Sequence, residues 1–102
     1  MKVKMTRSTG NVFSDLGFPE EAAANLKVRA DLLIDLQQAI VRRKLRQADV
    51  AKLLGVSQPR VSELMRGRIE LFSIDTLVNM LARLGVHVRI SLIPPRKRPR
   101  VA

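Results

Sequence analysis

The sequence predicts a mainly α-helical domain with one β-strand near its C-terminus. Three observations carry that prediction. Apolar residues recur at helical spacing between residues 19 and 84, and glycines and serines stand where helices would stop and start. Only at residues 86–92 does the apolar period change to two. A chain of 102 residues suits a single compact domain, and 46% apolar content is enough to fold it. Aromatics are 3%, all of them Phe (Phe13, Phe18 and Phe72), so the expected core is aliphatic.

Residues 1–10 carry charges and no apolar run, which does not fit a secretory leader. Residues 10–17 hold two glycines with Asn11, Ser14 and Asp15, a loop composition. Pro19 suits a first helical turn, where Glu20 and Glu21 meet the positive end of the helix dipole. No Gly or Pro interrupts from there to Lys44, and Leu26, Ala30, Leu33, Leu36 and Ile40 follow helical spacing. This is one long helix or two in series, with Arg42, Arg43 and Lys44 at its negative end. Residues 46–54 form a short helix with Val50, Leu53 and Leu54 apolar and Ala51 small, and Gly55 stops it. Ser57 caps a third helix, Pro59 is tolerated in its first turn, Val61, Leu64 and Met65 face inward, and Gly67 ends it. Ser73 caps a fourth helix with the stripe Ile74, Leu77, Val78, Leu81 and Leu84, ended by Gly85. Val86, Val88, Ile90 and Leu92 then alternate with His87, Arg89 and Ser91 as a strand.

The charge narrows the function. Nineteen Lys or Arg oppose nine Asp or Glu, a net of +10, and a small chain this basic points to a polyanion, nucleic acid first. The absence of Cys excludes disulfides and thiolate chemistry, and with one His and no Tyr or Trp no nucleophile–base pair or metal cluster can be assembled. An enzyme is therefore the weakest reading, and no cofactor is expected. Residues 11–35 carry five acids against two bases, a local net of −3, whereas residues 42–68 carry eight bases against two acids, a net of +6. The end, Pro94-Pro95-Arg96-Lys97-Arg98-Pro99-Arg100, adds four bases on an extended arm. Three parts follow: a partly flexible extension over residues 1–18, a folded domain over 19–93, and a basic flexible tail over 94–102. No segment approaches 18 uninterrupted apolar residues, so no membrane span is expected and the reading is cytoplasmic.

Two short helices joined by Gly55-Val56-Ser57 make a helix-turn-helix pattern. Ala51 is small where the second helix crosses closely over the first, and Val56, Val61 and Leu64 plug the angle between them. Ser57, Gln58, Arg60, Ser62 and Arg66 are left facing outward. Gln can bond adenine at two points, Arg can bond guanine, and Ser can approach either, the chemistry of major-groove reading. Gln47 opens the first helix, where its amide can reach the DNA backbone. Gln58 and Arg60 are thus expected to read bases, while Gln47, Arg66 and Arg68 hold phosphates.

The stretch Gln47-Ala48-Asp49-Val50-Ala51-Lys52-Leu53-Leu54-Gly55-Val56-Ser57-Gln58-Pro59-Arg60-Val61-Ser62-Glu63-Leu64 resembles the helix-turn-helix of the XRE, lambda-repressor-like family. Residues 8–18 and 66–75 in turn resemble the small XRE-type proteins related to HigA antitoxins, and together the matches span most of residues 8–93. The resemblance implies a lambda-repressor-like helical fold and a DNA-binding dimer that represses transcription, commonly of its own operon. In many members it implies a RelE-like ribonuclease toxin as partner. It gives DNA-contact roles to Gln47, Ser57, Gln58, Arg60 and Ser62, with Pro59 among them in the same helix turn. One departure stands out: the family usually has Thr or Ser before the first helix's Gln, and here it is Arg46. Loss of that cap costs about 0.5–2 kcal/mol, and a phosphate contact is the role left to Arg46.

Plainer readings stand beside these. Helix-turn-helix geometry also occurs as simple packing, but the polar outward face and the local +6 speak against that here. Arg42-Arg43-Lys44 is as readily a solvated helix end as a DNA contact, and the tail suits non-specific phosphate attraction. His87 lacks a partner ligand, and Asp31 with Asp35 reads as a solvated pair. A lone strand is not stable by itself, and two partners are available: residues 3–5 of the same chain, or the identical strand of a second copy. The second is the stronger expectation, because two-fold pairing through Val86, Val88, Ile90 and Leu92 also sets two recognition helices about 34 Å apart. Two other functions remain open: a regulator that works without a toxin, and a basic RNA-binding protein, which would lack the aromatic platform single-stranded RNA readers use.

Overall fold

A computed structural model describes residues 2–4, 13 and 16–95. In chain order its elements are β1 (Lys2–Lys4), α1 (Glu20–Arg42), α2 (Gln47–Leu54), α3 (Gln58–Met65), a 3-10 turn (Ile69–Leu71), α4 (Ile74–Arg83) and β2 (His87–Arg89). The fold is mainly helical, as the periodicity predicted.

Helix α1 is a single helix of 23 residues rather than two in series, about 35 Å long at 1.5 Å per residue. Pro19 stands just before it as its N-cap, one position earlier than expected, and Glu20 and Glu21 occupy the first turn. Its apolar stripe is buried at Leu32, Leu33, Leu36, Ala39 and Ile40. The turn after it needs a left-handed residue, and Lys44 takes that role at φ 52 with no glycine to relieve it. Helices α2 to α4 end as the glycines predicted. Gly55 at φ 67 accepts the left-handed turn that closes α2, and Ser57 and Ser73 cap α3 and α4 by accepting hydrogen bonds from the backbone N–H groups of Arg60 and Thr76.

The core lies between α1 and the other three helices and holds Val50, Val61, Leu64, Leu77, Leu81 and Val86 with the α1 stripe. It is not wholly aliphatic. Phe72 is fully buried and is among the largest side chains in the core, because the extended backbone after the 3-10 turn aims it inward. Leu53, expected on the apolar side of α2, is instead 45% exposed.

The C-terminal strand departs most from expectation. It spans three residues, and it pairs in parallel with β1 of the same chain, in register Lys2 with His87, Val3 with Val88 and Lys4 with Arg89. The less favoured partner therefore occupies one edge of β2. Val86 was expected at a dimer interface; it is buried in the chain's own core, its N–H donating to the Leu81 carbonyl at 2.9 Å. Val88 is half-buried against that core. Ile90 and Leu92 lie beyond the strand and are exposed, and so is Ile93, at 71%. The two-stranded sheet leaves the second edge of β2 without a partner among the described residues. No described helix is long and apolar enough to cross a membrane.

Candidate nucleic-acid interface

The interface is built on α2 and α3, which contact each other across the Gly55 turn. Buried Val50, Ala51 and Leu54 of α2 meet buried Val61 and Leu64 of α3, while Val56 packs against the same cluster. Ala51 and Val56 are also joined directly, the Val56 N–H donating to the Ala51 carbonyl at 3.0 Å. The small residue and the plugging valine are where the motif predicted them.

Successive helical side chains turn by about 100°, so the buried pair Val61 and Leu64 sets the opposite face of α3 toward solvent. That face carries Pro59, Ser62, Glu63 and Arg66, with Gln58 at its border on the Ser62 side. Gln58, Pro59 and Arg66 are exposed, and Ser62 is half-buried. Ser57, at the head of the helix, spends its hydroxyl on the cap. Gln47 is exposed at the first turn of α2, and Arg46 just before it lies 3.6 Å from the Asp49 carboxylate. Arg46 makes no side-chain cap, as its chemistry dictates.

Besides Ser57 and Arg46, two more of the expected DNA contacts are engaged within the protein. Arg68 donates from Nε to Glu70 at 2.6 Å. That bond holds the Glu70 carboxyl below its ordinary value and the Arg68 guanidinium above its own. Arg60 points away from the outward face: Nη2 donates to the Leu71 carbonyl at 2.8 Å, and the guanidinium carbon sits 4.1 Å from the centre of the Phe72 ring.

Two further residues hold the site and carried no obvious mark in the sequence. Gln37 on α1 donates from Nε2 to the Leu64 carbonyl at 2.9 Å, a second bond to an oxygen in the last turn of α3 that also accepts from the Gly67 N–H at 3.1 Å. Arg29, also on α1, donates to the Ile69 carbonyl at 3.4 Å. Both lie on the side of α1 that meets the core, where a polar side chain among apolar neighbours was the available signal. The long helix therefore fixes α3 and the segment after it by hydrogen bonds as well as by apolar packing.

The family model described as "Helix-turn-helix domain" matches residues 12–93. The chain belongs to that family. The helix-turn-helix protein is 40% identical over 74 residues to HigA3 of Mycobacterium tuberculosis, which is named as an antitoxin; the match covers 70% of this chain and 68% of the relative. It also resembles a solved structure named as an XRE family transcriptional regulator, with 34% identity and a TM-score of 0.66. That likeness covers 79% of this chain and 88% of the other. The resemblance read from residues 47–64 and their flanks is thus met in family, relative and fold.

Proposed function

We propose that this chain is a sequence-specific DNA-binding repressor, and the antitoxin of a toxin–antitoxin pair that regulates its own operon. It acts through binding and not through bond-making chemistry. The observation that carries this reading is the outward face of α3: an amide, a hydroxyl and a guanidinium (Gln58, Ser62 and Arg66) on a helix braced from behind by α1. In the major groove that face places Gln58 and Ser62 against base edges, with Ser57 and Pro59 at the close-approaching helix end. Gln47, Arg46, Arg66 and Arg68 hold phosphates on either side. The likeness to a protein named as an antitoxin supports a toxin partner, and a RelE-like ribonuclease is the kind proposed.

Repression at a two-fold operator calls for two copies. The free edge of β2, followed by exposed Ile90 and Leu92, is the surface proposed for that contact. It is narrower than the strand pairing first expected, since Val86 is taken up by the core.

Footprinting on the promoter upstream of the chain's own reading frame tests the DNA reading. Gln58→Ala is expected to cost about 1–3 kcal/mol on the protected site and to relax base preference at one position. Unchanged affinity at fixed salt would remove α3 from the groove. Co-purification from the native host separates the two regulators: a small RelE-like partner supports the antitoxin, and its absence supports a repressor that works alone.

A further inference from the structure

The Arg60 side chain has three partners among the described residues. Nη2 donates to the Leu71 carbonyl at 2.8 Å, the guanidinium stacks on Phe72, and Nη1 lies 4.0 Å from Glu63. The ring beneath it is fully buried, so one face of the guanidinium is shielded from water, where a cation–π contact is stronger than at an exposed site. The planar donor fork and the ring face suit each other in a way that a lysine ammonium does not reproduce. Around α3, Arg60 sits beside the buried pair Val61 and Leu64, on the flank opposite Ser62 and Arg66.

The segment held by Arg60 also matters. Leu71 and Phe72 end the strap that begins at Gly67 and carries Arg68. Arg29 grips the same strap at Ile69 from α1. The strap is thus tied to the reading helix on one side and to the scaffold helix on the other. We infer that Arg60 is a positioning residue rather than a base reader: it fixes the angle between α3 and the 67–72 strap, leaving base discrimination to Gln58 and Ser62. This inference rests on the DNA-binding reading and redistributes the roles within it.

The test uses the full chain and its footprinted operator. In the free protein the Arg60 δ-protons are expected upfield, under the Phe72 ring current, and the shift persists when operator DNA is added. Arg60→Gln keeps an N–H donor for the Leu71 carbonyl, while Arg60→Ala keeps nothing. A base-by-base substitution series should give both variants the wild-type order of preference, with affinity lowered by a similar factor at every site and Arg60→Gln lowered less. The slope of log affinity against log salt should stay within about 0.3 of wild type, where loss of a phosphate contact would remove about 0.9. Relaxed preference at one base pair, or loss of the upfield shift on operator binding, would overturn the positioning role. Should the wild-type chain bind no duplex, the DNA reading falls and takes this role with it. Binding with a displaced Arg60 sinks the positioning role alone.

Discussion

Single side chains divide the proposed interface into candidate readers and holders by what each one already bonds. Gln58 is exposed, its amide without a partner among the described residues, whereas Arg68 enters any encounter with DNA already bonded to Glu70. A phosphate must therefore compete with a carboxylate for the same guanidinium. Glu70→Gln is expected to raise operator affinity and to steepen the salt slope by up to about 0.9, read by titration at several salt concentrations. The same pair has a pH signature. Because the Glu70 carboxyl is held below its ordinary value of 4.5, its stabilising contribution is complete above that pH and fades as the pH falls through the lowered value. Both partners are exposed, so that contribution is small, and Glu70→Gln should lower the melting temperature near neutral pH only slightly. The sequence showed Gln58 and Arg68 as candidates, because residue type and helical position suffice to put them on the surface. It did not show the inward turn of Arg60, because that depends on Phe72 lying beneath it, twelve residues away and in a different element.

At the scale of elements, local signals were strong and non-local ones weak. Ser57, Ser73, Gly55, Gly67 and Gly85 mark helix ends through bonds or φ values that act within a few residues, and each was legible. Gln37 was not, since its acceptor on Leu64 is 27 residues distant. The chain's own partner for β2 was visible only as one of two options, because parallel pairing across a whole domain leaves no turn signal. The caps and turns can be tested individually. Ser73→Ala should destabilise the chain by about 1 kcal/mol, measured as a shift in thermal midpoint. Gly55→Ala should cost about 1–2 kcal/mol, because alanine disfavours φ 67, although a Cβ there meets the Arg83 guanidinium at an ordinary 3.5 Å. A larger loss for Gly55→Ala, with DNA affinity falling further than stability, would show that the turn also sets the angle between α2 and α3.

For the molecule as a whole, the core and the reading face are separable. Leu36 is fully buried where α1 meets the other helices, so Leu36→Ala should cost about 2–5 kcal/mol in denaturant unfolding while leaving the base preference of the folded fraction intact. The outer end behaves differently. Replacing Ile90 and Leu92 with Glu removes no buried contact within the chain, since both side chains are exposed. Sedimentation should show such a variant shifting toward monomer with its helical content unchanged. A variant that stays dimeric would move the subunit contact elsewhere.

The parallel pairing of β1 with β2 also fixes an order of events in time. Val3 and Val88 are partners across the strand pair yet are separated by nearly the whole folded domain, so their meeting carries the largest loop-closure cost of any contact among the described elements. Helices closed by their own caps can form within microseconds, while a strand pair of this separation is won only after the helices have packed and drawn the ends together. Each strand contributes three residues, too few to hold an intermediate alone. The sheet is therefore the last structure gained on folding and the first lost on opening. Amide exchange at Val88 should outpace exchange at Leu36 by orders of magnitude, reporting a clasp that opens while the reading helix stays in place.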